Sequence, residues 1–383
     1  MKQIGVFFGS RSPEHDISII TAMRVIGGFK SLPEYAVVPV YIGRTGQWRF
    51  GEALGDIAFY RNPQYEKPLP RYRADTFSFT DSRLILRRNR TSIFSRPAEA
   101  VLDLAFPCFH GSYGEDGTIQ GLFEMAGIPY VGCGVLASAL VMSKIHARRV
   151  LDRVGIPSVP TAVLSREVFG QDRKAAIAEA LKKIQFPIFV KPNTLGSSIG
   201  VARASNEKEL EWALEVAFQF DTTALVEQAV QNLKEVNVAV IGHRTLLVSE
   251  TEEPQFKSAY QTFEEKYVIK GGTLTQGKGK TKSKIPADLP SDIAKAVKGA
   301  AETAYRALGA SGISRFDFFV DAKTWQWYLG EINPLPGSLQ AHLWEASGIP
   351  LPQLLEKLVG AAQERFAEEQ ALTRVFDSSV LKK

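Results

Sequence analysis

Residues Ser314 to Gly337 read SRFDFFVDAKTWQWYLGEINPLPG. The stretch alternates, turns and alternates again. Arg315, Asp317, Phe319 and Asp321 fall on one face of a strand, with Phe316, Phe318 and Val320 on the other. Ala322, Lys323 and Thr324 supply a short turn, and the return run sets Trp327, Leu329, Glu331 and Asn333 on a common face. A hairpin built this way gathers Asp317, Glu331 and Asn333, with Arg315 beside them. Two carboxylates about 4 Å apart repel by about 1 kcal/mol in water and about 4 kcal/mol at an effective dielectric of about 20, so a cation is expected between them. Two acids and an amide offer hard oxygen ligands, which suit magnesium (or manganese) and leave positions open for phosphate oxygens. The competing reading is a solvated hairpin with scattered surface acids. The apolar neighbours Phe318, Phe319, Trp327, Tyr328 and Leu329 argue against a simple wet surface.

A second stretch supplies what such a metal would serve. In Phe189 to Gly200, FVKPNTLGSSIG, a strand delivers Lys191 and a loop of small residues follows at once. Backbone N–H groups without bulky side chains wrap phosphate oxygens, and the lysine adds a point charge. The GK[ST] ending of a Walker A loop is missing. Alone, this is a surface turn; joined to the acidic hairpin, it points to a nucleoside triphosphate.

The chain opens with a buried-strand run, Gln3 to Phe8. A turn and a helix start at Ser12-Pro13-Glu14 follow, then helical spacing to Phe29 and a second strand at 36–42. This βαβ opening predicts an α/β sheet with a ligand edge. Gly43, Gly46 and Trp48 suggest a hairpin, and 83–96 a basic, solvated strand and loop. AVLDLAF at 100–106 reads as one buried strand, and 128–132 as another. Residues 137–154 read as one helix with Lys144 inside it, 174–184 and 207–219 as helices, and 291–308 and 352–369 as the last two. Residues 257–284 are rich in Lys and Gly, with Gly271, Gly272, Gly277 and Gly279 as candidate hinges of a lid.

At 383 residues the chain has room for two or three domains. A net charge of +5 is too mild to demand nucleic acid, and no basic stripe carries interleaved aromatics. No run approaches a membrane span, and two cysteines, Cys108 and Cys133, make no disulfide framework. A cytoplasmic protein with small-molecule substrates, and neither nucleic acid nor membrane as partner, is expected.

The segments GSRSPEHDIS, FPCFHGSYGEDGTIQGLFEMAGIPYVGCGVLASALVMSK, VKPNTLGSSIGV, EEKY, RFDFF, GEINPLPG and LWEASGIP are collinear from about residue 3 to about 360. Together they resemble the D-alanine–D-alanine ligases of the ATP-grasp superfamily. The resemblance implies a three-domain α/β ATP-grasp fold with an N-terminal Rossmann-like domain: 1–137, 138–230 and 231–366, with a tail at 367–383. It implies that Lys144, Lys191, Ser198 and Lys266 hold ATP, with Glu227 at the adenine edge and Glu235 at the ribose. Asp317, Glu331 and Asn333 would bind magnesium. Glu14 would take the ammonium of the first D-amino acid and, with Ser197 and Tyr267, complete a hydrogen-bonded set. His110 would line that pocket. Arg315 and the Gly337 N–H would stabilise the tetrahedral intermediate. A homodimer is also implied.

Two departures from the family pattern stand out. Leu195 occupies a position where the family has an acid. The segment 337–343 is shorter than the family's loop, which holds the second substrate's carboxylate, leaving Ser338 and Leu339 as candidates. The product implied is D-alanyl-D-alanine for peptidoglycan. The alternatives are an acceptor such as D-serine, D-lactate or another amine, or a nucleotide-binding protein that does not ligate. Without the resemblance, His110 is an ordinary core histidine and Glu14 a first-turn acid at a helix start.

Overall fold

The computed structural model describes residues 1–90, 97–255, 283–373 and 380. The opening apolar run becomes strand β1 (Lys2–Gly9), with parallel neighbours β2 (Tyr35–Ile42) on one side and β7 (Leu104–Pro107) on the other. Ile4, Val6, Phe7 and Phe8 are fully buried, as expected of a strand covered on both faces. The expected hairpin closes the sheet: β3 (Trp48–Phe50) returns along β2 through a turn in which Gly43 N–H donates to Gln47 O at 3.0 Å. The order is β3-β2-β1-β7.

Strands β4 (Thr76–Thr80), β5 (Arg83–Arg88) and β6 (Ala98–Leu102) form a separate antiparallel sheet. The expectation of a solvated strand at 83–96 needs correction, because Leu84 and Leu86 are fully buried while the arginines point outward. Residues 91–96 lie outside the described residues. The AVLDLAF run is two strands, not one. At Asp103 the chain changes sheets: Asp103 N–H donates to Gln3 O, and Gln3 N–H to the Asp103 carboxylate, both at 2.8 Å. The strand expected at 128–132 is reduced to a bridge between Tyr130 and Ala105.

Strands β8 (Thr161–Ser165), β9 (Ile188–Pro192), β10 (Ala202–Ala204) and β11 (Thr223–Gln228) make a sheet of order β10-β9-β11-β8. Its own core joins Ile188, Val190 and Val226 to Leu210 and Leu214 of the Glu207–Ala217 helix. The third large sheet, order β13-β12-β16-β17, contains β12 (Leu233–Gly242), β13 (Leu246–Val248), β16 (Gly312–Asp321) and β17 (Trp327–Asn333). A small pair, β14 (Glu253–Pro254) and β15 (Ser283–Lys284), lies beside it.

The first and third sheets share one apolar core. Val6 and Phe8 pack in it with Ala239, Ile241, Ile313, Trp344 and Leu355. The last long helix, Leu351–Gln370, lies against the His15–Phe29 helix so closely that a Cβ on Gly28 would stand 2.7 Å from Leu355 Cδ1.

The helix expected over 137–154 is broken. Val135–Met142 and Lys144–Arg153 are separate helices divided at Ser143, which is extended. The break exposes first-turn N–H groups that Asn193 satisfies: its backbone carbonyl accepts from Lys144 N–H and its side-chain oxygen from Ile145 N–H, each at 3.1 Å. The acidic hairpin forms as expected, with one correction. A bulge between Asp317 and Phe318 sets Asp317 opposite Glu331 but Phe318 opposite Leu329, so Gly330 is the extra residue. Leu329 and Trp327 therefore pack into the core, away from the face that carries Glu331 and Asn333.

Candidate active site

Arg315 and Asp317 on β16 lie opposite Asn333 and Glu331 on β17. The Arg315 guanidinium donates to both Asp317 oxygens, at 2.6 and 2.7 Å, and Asn333 Nδ2 donates to Oδ2 at 3.1 Å. Lys144 Nζ stands 3.9 Å from Glu331. The repulsion expected between the two acids is thus balanced by cations of the chain itself. Among the described residues no group of three or more His, Cys, Asp or Glu is placed to hold a metal. The candidate set depends on the Asn333 amide, and two carboxylates plus one amide on adjoining strands are hard donors that fit magnesium.

Lys144 is nearly buried and donates to the Leu195 carbonyl oxygen. Leu195, where the family pattern has an acid, meets Lys144 through its backbone. Burial pulls the Lys144 pKa down, opposed by Glu331. On β9, Lys191 pairs with Glu227 at 2.7 Å and lies 5.3 Å above the Phe319 ring. Glu227 also accepts from Arg148 at 2.5 Å. Burial pushes this carboxyl up, but Lys191 and Arg148 together outweigh it and hold it below its ordinary value. Glu235 sits opposite Phe319 on the same face of the sheet. A cleft of about 50 Å³ is lined by Glu115, Lys144, Arg148, Leu195, Glu331 and Asn333.

The loop after Lys191 turns through Ser197 and Ser198 at φ of 54° and 59°. Ser197 Oγ donates to the Glu14 carboxylate, joining two segments 183 residues apart. Glu14 is 7 % exposed and its N–H donates to Ser12 Oγ, which in turn donates to His110 O. A Cβ at Gly111, where φ is +72°, would stand 2.6 Å from the Glu14 carboxylate, so glycine is required there. His110 bonds Thr21 Oγ1 through Nε2 at 2.7 Å. Burial first and the nearby Arg315 second lower its pKa to about 4, leaving a neutral ring at pH 7. Ser338 N–H donates to the same Thr21 hydroxyl. Leu339 is fully buried in the shared core. Gly337 begins this turn. Lys266 and Tyr267, and most of the expected lid at 257–284, lie outside the described residues.

Two groups escaped sequence reasoning. Glu115 stands in a loop read only as acids at a helix start. Burial, with Glu14 and then Glu331 beside it, pushes its pKa well up, while Gly111 N–H donates to it at 2.5 Å. Its two acidic neighbours come from distant segments, which no local pattern reveals. Arg148 lies one turn beyond Lys144 on the same helix, a spacing that could have pointed to it.

A mostly parallel α/β sheet, followed by two antiparallel sheets that carry Lys191 and the Arg315, Asp317, Glu331 and Asn333 face, is an ATP-grasp-like fold with an N-terminal Rossmann-like sheet. Residues 3–133 match the family model "D-ala D-ala ligase N-terminus" and residues 150–360 match "D-ala D-ala ligase C-terminus". The chain is 36% identical over 376 residues to a D-alanine--D-alanine ligase of Acetivibrio thermocellus, covering 95% of this chain and 96% of the relative. It is 34% identical to the D-alanine--D-alanine ligase of Thermosipho melanesiensis, covering 100% and 99%. Among solved structures, the D-alanine-D-alanine ligase from Coxiella burnetii superposes with a TM-score of 0.77 at 26% identity, covering 98% of each chain. The VanG D-Ala:D-Ser ligase from Enterococcus faecalis gives 0.74 at 30% identity, covering 94% of this chain and 99% of that one. The chain belongs to the D-alanine–D-alanine ligase family of the ATP-grasp superfamily. That membership places it among the ATP-dependent carboxylate–amine ligases that act on D-amino acids.

Proposed function

We propose that the protein joins two D-alanines with ATP, giving D-alanyl-D-alanine, ADP and phosphate for peptidoglycan. The observation that carries this reading is the meeting of two halves at one place. The Glu14–Ser197 hydrogen bond links the first-substrate pocket to the phosphate loop, beside the Arg315, Asp317, Glu331 and Asn333 face.

A carboxylate is a poor electrophile, so the first D-alanine must be activated. Its carboxylate oxygen attacks the terminal phosphorus of ATP, the bond to ADP breaks, and an acyl phosphate forms. The amine of the second substrate then attacks the acyl carbon, the C–O bond to phosphate breaks, and the nitrogen gives up a proton. Phosphoryl transfer depends mostly on positioning and electrostatics. Lys144 and Lys191, carried by two different elements, are with Ser198 the residues assigned to the phosphates, alongside Lys266. Glu227 and Glu235 are assigned to the nucleoside end. Bound to Asp317, Glu331 and Asn333, magnesium (or manganese) would neutralise triphosphate charge. Glu14 orients the first ammonium, and neutral His110 lines that pocket without adding a like charge. In this reading Arg315 and the Gly337 N–H stabilise the oxyanion, and Tyr267 completes the Glu14–Ser197 set.

The three units at 1–137, 138–230 and 231–366, a cytoplasmic location and a homodimer belong to the same reading. No helix of the described residues is long and apolar enough to cross a membrane. An ADP-release assay with D-alanine, varying the second substrate, tests the function. Turnover with D-alanine alone supports it, whereas turnover only with D-serine or D-lactate assigns another acceptor. The likeness to a D-Ala:D-Ser ligase makes that second reading specific.

A further inference from the structure

Four polar side chains cross the third sheet in one row. Asn237 and Glu252 exchange both backbone hydrogen bonds, at 2.8 and 2.9 Å, as an isolated antiparallel bridge. Directly opposed antiparallel residues put their side chains on the same face. The register runs on from Asn237 to Asp317 and from Asp317 to Glu331. Glu252, Asn237, Asp317 and Glu331 therefore follow one another from strand to strand on the face that bears Arg315. Because Asn237 gives its backbone bonds to Glu252, its pairing with Asp317 is the closer, non-hydrogen-bonded kind.

The three acids each have a partner. Glu252 bonds His342 Nε2 at 2.7 Å, Asp317 holds Arg315, and Glu331 faces Lys144. Asn237 is the exception: it is 9 % exposed, and its Oδ1 is buried with no hydrogen-bond partner among the described residues. A buried carbonyl oxygen left this way is an acceptor waiting for a donor. At the outer end of the row, the His342 side chain is 52% exposed while that of Glu252 is 5% exposed, so the pair reaches from the buried row towards solvent.

His342 follows a turn in which three consecutive non-glycine residues, Ser338, Leu339 and Gln340, have φ of 50°, 56° and 48°. Left-handed residues in series persist only when their surroundings hold them. Here Leu339 is sunk in the shared core, and Ser338 is tied to Thr21, which also bonds His110. The turn thus anchors one end at the first-substrate pocket and delivers His342 to Glu252 at the other.

We propose that Asn237 Oδ1 and the Glu252–His342 pair form the subsite that receives the amine of the second substrate. The proposal rests on the ligase reading above. An ammonium or amine brings several N–H donors and, when charged, a cation that a carboxylate and a carbonyl oxygen both favour. A hydroxyl brings one donor and no charge, so the subsite selects an amine acceptor over a hydroxy acid.

The test uses the full chain with ATP, magnesium and D-alanine, assayed two ways. Dipeptide formation gives the acceptor KM. Hydroxylamine at high concentration traps the acyl phosphate as a hydroxamate without needing the subsite. The variants are Asn237→Leu and Glu252→Gln. The expected result is an acceptor KM raised about tenfold in N237L and severalfold in E252Q, with hydroxamate formation within about threefold of the parent. Should N237L fail to fold, E252Q decides alone. An unchanged acceptor KM, or an equal loss of dipeptide and hydroxamate, overturns the subsite. A parent that forms no hydroxamate from any D-amino acid removes the ligase reading, and the subsite with it.

Discussion

Burial governs the state of His110 more than any neighbouring charge. Its folded pKa of about 4 lies below the ordinary 6.5, so the unfolded chain takes up the proton first as pH falls. The stability from this group is complete above about pH 6.5 and is lost on the way down to about 4, by on the order of 3 kcal/mol. His110→Asn is therefore expected to flatten the acid limb of a urea-midpoint-against-pH curve in that window. Arg315 makes the opposite kind of contribution, a fixed charge forked onto Asp317. A lysine keeps the charge but not the fork. Arg315→Lys is expected to lower kcat by on the order of 10² to 10³, as loss of a transition-state donor does, with the thermal midpoint little changed. Loss confined to KM would contradict that role.

Between elements, two irregularities set the site, and both were invisible to a pattern reading. Alternation along the SRFDFFVD run fixed the face of Arg315 and Asp317. The return strand carries one residue too many, and only the pairing shows that Gly330 takes up the slack and turns Glu331 and Asn333 onto that face. Strict alternation had placed Trp327 and Leu329 with them, where they would have been exposed apolar groups. Likewise a continuous helical pattern over 137–154 hides the break at Ser143, because its cause, Asn193, comes from a loop 50 residues away. Local sequence carries period and propensity; a bulge or a cap supplied from a distance is a tertiary event. The Rossmann-like opening, the lysine-bearing strand and the hairpin were legible because each buries a long local apolar run. Asn193→Ala removes the oxygen that caps the Lys144–Arg153 helix. It is expected to cost about 1 kcal/mol in urea unfolding and to raise the KM for ATP, because Lys144 begins that helix. A raised KM without loss of stability would show that the cap does not hold the helix.

Across the whole molecule, the first and third sheets are one folding problem. Trp344 and Leu355, from beyond the hairpin, are buried among residues of the first sheet and its helix. A chain ending at residue 334 would strip the His15–Phe29 helix of its partner, Leu351–Gln370, and leave that face bare. Such a chain is expected to lose cooperative unfolding of the first sheet, seen as loss of its calorimetric transition, while the second sheet, with its own core, keeps one. That shared core joins the elements that carry Glu14 and His110, proposed for the first substrate, to those that carry Asp317 and Glu331, proposed for the metal. The central claim is that activation passes through an acyl phosphate made at this junction. It is tested most directly by supplying D-alanine labelled with ¹⁸O in its carboxylate and analysing the released phosphate by mass spectrometry. The account predicts one labelled oxygen in each phosphate released per dipeptide formed; unlabelled phosphate alongside dipeptide would contradict it.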